Sequence, residues 1–195
     1  MRLFYSNASP YARMTRILVI ELGLQDAVTL LPMHPFDNPP ELLSANPLGK
    51  VPVLVSEHQA LCDSGLICDY LWALSRATED VMVDWPARQR RALAVGMLDV
   101  AVAWRQDKMR PESQQSAFWQ NRYRAALQRT LSHIESEMGV KPWPEFPAIE
   151  SIALLCALDY LDFRHPEFSV EIPNISCWRR PLSQLPSVKA TAPCD

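Results

Sequence analysis

Along residues 1–75 the spacing of apolar positions switches repeatedly between the period of a strand and that of a helix. Residues 2–6 read as a strand, and residues 11–22 carry apolar side chains at helical spacing until Gly23 ends them. Residues 27–31 read as a second strand, so a helical crossover joins the first two strands and predicts that they run parallel. Residues 34–40 read as loop and 40–45 as a short helix stopped by Asn46-Pro47. Two short apolar runs, 51–55 and 60–62, flank a turn at 56–59 and predict a β-hairpin. Asp63 and Ser64 then open a helix that runs through Leu74.

Residues 76–85 lack sustained periodicity and carry polar clusters, as a connection between units does. Beyond them, residues 86–108, 114–138, 149–163 and 175–185 keep a helical period and no strand pattern returns. Pro142, Pro144 and Pro147 mark a stiff loop between two of these helices. The expected architecture is a domain over 1–75 in the order β-α-β-α-β-β-α, which is the thioredoxin-like order. A linker at 76–85 and an all-helical domain over 86–195 follow it.

Composition narrows the function more than the fold. With 195 residues, 48% of them apolar, the chain can bury a sizeable core without covalent staples. A net charge of −3 with no block of like charge points away from nucleic acid and anionic membrane and toward a small ligand. Cys62, Cys68, Cys156, Cys177 and Cys194 are odd in number and not closely paired, which fits reduced thiols in a cytoplasm. Neither they nor the four histidines have metal-ligand spacing, so no metal is expected. The chain runs from Met1 straight into a strand pattern, so neither an export signal nor a membrane span is expected. Asn7-Ala8-Ser9 and Asn174-Ile175-Ser176 match the glycosylation pattern, which matters only in a secreted chain, and are read as chance.

Three segments carry candidate chemistry. Ser9-Pro10-Tyr11-Ala12 lies between the first strand and the first helix, where serine is a favoured N-cap and proline a favoured first helical residue. A thiolate at that site would feel the positive end of the helix dipole and a hydroxyl donor, both of which favour ionised sulfur, the nucleophilic form. Read alone, Ser9 is equally an ordinary helix cap. In the run from Asn46 to Leu54, Pro52 at a strand start suits a cis Val51-Pro52 peptide that turns the Val51 backbone outward to an extended peptide; read alone, it is a turn before a strand. At Asp63-Ser64 a strand gives way to a helix whose first N–H groups, with the Ser64 hydroxyl, suit a carboxylate, while Asp63 suits an ammonium group. Again a plain cap explains the same residues.

Together, Ser-Pro-Tyr, then Asn-Pro-Leu-Gly-Lys-Val-Pro-Val-Leu, then Asp-Ser near residue 64 resemble the N-terminal domain of glutathione S-transferases. Residues 151–164, Cys177-Trp178 and 185–188 are similar to that family's C-terminal helices, and Arg110-Pro111-Glu112 with Trp119 to a bacterial cytosolic branch. The resemblance implies that Ser9 activates the glutathione sulfur, that Val51 beside cis Pro52 pairs with the cysteinyl backbone, and that Asp63 and Ser64 bind the γ-glutamyl end. His34 and Lys50 lie in loops suited to the glycyl carboxylate. Ser6 and Tyr11 are rivals to Ser9 in the same loop, whereas Tyr5 reads as buried in the strand. For the second substrate, a small hydrophobic electrophile, the candidates are Tyr11 with Met97, Ala101 and Trp104, although that i, i+4, i+7 stripe also suits core packing. A homodimer is expected by the same resemblance.

Two features depart from the family pattern. Where relatives open the helix near residue 150 with a Ser/Thr-x-x-Asp capping box, this chain has Ala148, Ile149, Glu150 and Ser151, so the cap is missing. Positions 9 and 12 hold no cysteine, which argues against dithiol and mixed-disulfide chemistry. Besides conjugation to an electrophile, the same half-site suits a glutathione-dependent isomerase or dehalogenase, or a non-catalytic regulatory protein that binds a partner.

Overall fold

A computed structural model of the chain describes residues 1–57, 59–76 and 83–195. Most of the expected 76–85 connection, and His58 of the expected hairpin turn, lie outside the described residues. The described residues divide into two compact units, Met1–Val83 with Pro186–Asp195, and Asp84–Leu185.

The first unit holds strands β1 (Arg2–Tyr5), β2 (Thr29–Pro32), β3 (Val53–Val55) and β4 (Ala60–Cys62), in the sheet order β2-β1-β3-β4. β1 and β2 are parallel, as the crossover predicts, while β3 runs antiparallel to both β1 and β4. Helix α1 (Pro10–Glu21) makes the crossover, α2 (Pro40–Ala45) precedes β3, and α3 (Ser64–Ser75) follows β4, completing the thioredoxin-like order. Phe4, Ala12, Leu42, Val51 and Val53 form a buried cluster beneath the sheet end, with Tyr5, Leu31, Met33, Ala45 and Val55 packed on it.

β2 starts at Thr29 rather than Ala27, because the Ala27 and Val28 amides are committed to the Leu24 carbonyl in a turn. β3 starts two residues later than expected, since Pro52 has no N–H to give the ladder. Ser56 closes the β3–β4 turn by bonding both the Gln59 carbonyl and the Gln59 N–H.

The second unit is helical: α4 (Trp85–Lys108), α5 (Ala117–Val140), α6 (Ile149–Arg164) and α7 (Pro173–Leu182). α6 packs mainly against α4 and is buried almost continuously from Glu150 to Leu158, with Tyr160 and Leu161. Its N-cap residue, Ala148, makes no side-chain cap bond. Two contacts stand in: Ser151 Oγ donates to the Pro144 carbonyl at 2.7 Å, and Glu150 pairs with Arg90 of α4 at 3.3 Å. A carboxylate in a first helical turn also favours the helix dipole.

The expected helix over 175–185 is in fact two, α7 and then α8 (Pro186–Ala190), separated after Pro181 where the proline lacks an amide. Moreover Pro186–Asp195, expected in the helical domain, belongs to the first unit. The physical cause is a pair of arginines on α1. Arg13 is 2% exposed, and a buried guanidinium requires acceptors, which Val188 O (3.3 Å) and Thr191 Oγ1 (3.4 Å) supply. Ser187 Oγ is bonded to the Glu21 carboxylate at the far end of the same helix. Among the described residues no helix is long and apolar enough to cross a membrane.

Candidate functional site

The strand register gathers the candidate segments. β1 and β2 leave the sheet where Tyr5 faces Pro32, and β3 enters it at the same end, where Val53 faces Phe4 on one side and Cys62 on the other. Residues 33–34, 6–9, 50–52 and 63–64 therefore all emerge from one end of the sheet, in that lateral order. At about 4.8 Å between strands the row is roughly 14 Å wide.

Ser9 caps α1, with its hydroxyl accepting from the Ala12 N–H at 3.2 Å and its own N–H donating to Ser6 O at 3.1 Å. A hydroxyl that accepts through a lone pair still has its proton to donate. Ser9 thus presents a donor at the positive end of a twelve-residue helix. Tyr11 is half-buried in the first turn of α1, and Ser6 contributes its carbonyl to the turn.

Two features of this loop escape a reading of the sequence. Asn7 Oδ1 accepts from Arg16 Nη1 at 3.0 Å, and the Arg16 guanidinium lies 4.3 Å from the Tyr5 ring centroid. Burial pushes the Arg16 guanidinium below its ordinary pKa, with Tyr5 acting in the opposite sense. The available signal is the presence of two arginines, Arg13 and Arg16, within the helical run that α1 buries from Ala12 to Val19.

The Val51-Pro52 peptide is cis, and Val51 is buried beside Val53 in the core cluster. The approach to it is shaped by Asn46, which is 2% exposed. Its Nδ2 donates to Lys50 O at 2.9 Å and its Oδ1 accepts from Leu48 N at 3.1 Å, while Gly49 takes φ +62, a conformation that favours glycine. The Asn-Pro-Leu-Gly sequence was the signal for that turn. The Lys50 side chain is exposed.

Asp63 has φ 84, which is uncommon for a residue with a side chain and costs energy that the surroundings must hold in place. Its Oδ1 accepts from Gly65 N at 2.8 Å and Leu66 N at 3.3 Å. A Cβ on Gly65 would lie 3.0 Å from that oxygen, so glycine leaves the room this cap needs. Two of the first-turn amides expected to meet a ligand carboxylate are therefore already taken. Ser64, 4% exposed, makes no side-chain hydrogen bond among the described residues. His34, on the opposite flank, has an exposed ring that stacks edge-on against Phe36 at 5.5 Å and lies 3.7 Å from Asp37.

Met97, Ala101 and Trp104, the residues expected to line the electrophile pocket, are 2%, 0% and 0% exposed and lie on α4, which packs mainly against α6. Trp104 is stacked on His165 at 4.0 Å, and His165 Nε2 bonds to the Ala101 carbonyl at 2.9 Å. The Arg124 guanidinium of α5 also lies over the Trp104 ring, at 4.9 Å, and Phe168 meets that ring edge-on at 5.8 Å. Among the described residues no group of three or more His, Cys, Asp or Glu is placed to hold a metal ion.

Comparison with known proteins agrees with this geometry. Residues 8–74 match the family model for the glutathione S-transferase N-terminal domain. The uncharacterized GST-like protein YibF of Escherichia coli (strain K12) is 32% identical over 185 residues, 90% of this chain and 90% of its own. A glutathione transferase family member from Pseudomonas fluorescens Pf-5, solved with bound glutathione, superposes with a TM-score of 0.87 at 32% identity, over 100% of this chain and 99% of that one. A glutathione S-transferase from Methylobacillus flagellatus KT with GSH bound gives 0.86 at 29% identity, over 99% of each chain.

Proposed function

This chain belongs to the glutathione S-transferase family, and from that premise we propose that it binds glutathione along the end of its sheet and presents the thiolate to a small electrophile. The observation that carries the reading is the lateral order of the segments. An extended tripeptide with its γ-glutamyl head at Asp63 and Ser64 would run past Val51 and Pro52 to Ser9, and end near His34. A row of roughly 14 Å suits three residues at about 3.5 Å each, lengthened by the γ-glutamyl side-chain link.

In this reading the Val51 backbone pairs with the cysteinyl residue and Ser9 donates its hydroxyl proton as a hydrogen bond to the sulfur. The α1 dipole adds to that donor, so the thiol loses its proton to water near neutral pH; the sulfur lone pair then bonds to the electrophilic carbon, and in an aryl halide the carbon–halogen bond breaks and halide leaves with its electron pair. Asp63 Oδ2 receives the γ-glutamyl ammonium, and the Ser64 hydroxyl with the Ser64 N–H receives its carboxylate. Lys50 and His34 serve the glycyl carboxylate. Tyr11, in the first turn of α1, forms the near wall for the electrophile. Fixing thiolate and electrophile together supplies further rate through proximity.

Two measurements test the reading. Calorimetry with glutathione should give saturable one-to-one binding, and Ser9→Ala should lower kcat for a reactive aryl halide by about 10²-fold while changing glutathione affinity little. Absence of binding at millimolar glutathione would overturn the proposal.

A further inference from the structure

We infer that Arg16 is a positioning residue, clamping Asn7 between β1 and the C-terminal tail so that the 6–9 loop holds Ser9 at its post. The inference deepens the reading of Ser9 above and rests on it.

Arg16 stands seven residues beyond Ser9, which on an α-helix returns to within about 20° of the same face. Helical side chains lean toward the N-terminus, so the guanidinium reaches back to the loop rather than outward. There it meets three separate pieces of chain. Nη1 donates to Asn7 Oδ1 at 3.0 Å, Nη2 donates to the Ala190 carbonyl at 3.5 Å, and the plane lies over the Tyr5 ring of β1 at 4.3 Å. The residue is 7% exposed, and its Nε has no hydrogen-bond partner among the described residues. An apolar side chain would fill such a place without burying charge, so packing alone does not account for an arginine.

What the clamp holds is short. Between Tyr5, the last residue of β1, and Pro10, the first of α1, the chain reverses through a turn closed by the Ser9 N–H to Ser6 carbonyl bond. Asn7 lies inside that turn, two residues from Ser9. Its side chain is tied to Arg16, so the turn is held at its middle as well as at its closure. The tail reaches the same point through Ala190, which gives Pro186–Asp195 a task beyond covering Arg13. A planar fork can hold Asn7 and Ala190 at once, whereas a lysine ammonium at the same place keeps the charge but not both directions.

The test uses the full chain with Asn7→Ala, Arg16→Lys and Asn7→Asp, the last keeping the acceptor. Amide hydrogen exchange without ligand should show protection at Ser9 and Ala12 falling at least tenfold in Asn7→Ala and Arg16→Lys, with Gly65 and Leu66 unchanged, and restored in Asn7→Asp. In the first two variants the thiol of bound glutathione should titrate about one pH unit higher, with its affinity nearly unaltered. Unchanged exchange at Ser9 and Ala12, or an equal loss at Gly65 and Leu66, would overturn the clamp and leave Arg16 a structural residue. Ser9→Ala, titrated alongside, separates the two ideas. A thiol unaffected by Ser9→Ala sinks the role of Ser9, while exchange at residues 9 and 12 still decides the clamp.

Discussion

In the proposed reading Asp63 does two things with one carboxylate. Oδ1 caps α3 through Gly65 and Leu66, and the residue is exposed just beyond the end of β4, where the proposed ammonium would lie. The two tasks are separable by substitution. Asp63→Asn keeps an N-cap acceptor and removes the charge, so thermal stability should hold while glutathione affinity falls about tenfold, as expected of a lost charge-assisted bond. Asp63→Ala loses both and should also cost about 1 kcal/mol of stability. Calorimetry and thermal melts on the two variants check this; equal affinity in wild type and Asp63→Asn would remove the ammonium from Asp63. The sequence showed this residue as a helix cap and as a candidate partner for an ammonium group, but not its backbone conformation. Its positive φ depends on how β4 delivers the chain to α3, and no single-residue pattern reports that.

Helix α6 is buried along most of its length and fastened at both ends. At its start the missing cap, already legible in Ala148, is offset by Arg90–Glu150 and by Ser151 to Pro144, neither of which adjoins in sequence. Ala148 has the extended backbone that an N-cap needs, with φ −50 and ψ 140. Ala148→Ser should therefore stabilise the chain by about 0.5–2 kcal/mol, or a few degrees in Tm, without altering glutathione binding. A melt showing no gain would mean that the Glu150 arrangement already saturates that end.

At its other end α6 is fastened by His165, buried against Trp104 and bonded to the Ala101 carbonyl. Burial holds the imidazole below its ordinary pKa of about 6.5. The Ala101 bond and Glu167 act in the opposite sense, while Lys108 and Arg105 add to the depression. A depressed folded value means that the unfolded chain takes the proton first. The stabilisation is therefore complete above about pH 6.5 and is lost as pH falls through the folded value. Melts of wild type and His165→Gln from pH 8 to 5 should show a gap in Tm that is flat above neutrality and narrows as pH falls below the ordinary imidazole value of about 6.5. A constant gap would contradict the assignment.

For the whole molecule, what was legible followed from chain-local periodicity. Strand and helix alternate in residues 1–75 because the βαβ crossover and the hairpin each write their own period, and the long helices do the same. What was not legible depends on tertiary partners. The Met97, Ala101 and Trp104 stripe predicts a helix face but not which neighbours meet it: His165, at the end of α6, stacks on Trp104, and Arg124 of α5 lies over the same ring. The last ten residues carry no mark of the unit they join; acceptors for Arg13 and Arg16 decide that. Each candidate glutathione residue sits beside a turn or a helix start with its own chemistry, and the sheet register brings their segments to one end of the sheet.

The central claim is that bound glutathione is held as a thiolate by Ser9, and ultraviolet titration of the thiolate in the complex addresses it most directly. Wild type should show an apparent pKa at least one unit below that of a free thiol, about 8.5, and Ser9→Ala should move it back by about one unit at saturating ligand. A complex whose thiol titrates like the free tripeptide, or a Ser9→Ala curve that overlays the wild-type one, would contradict the account.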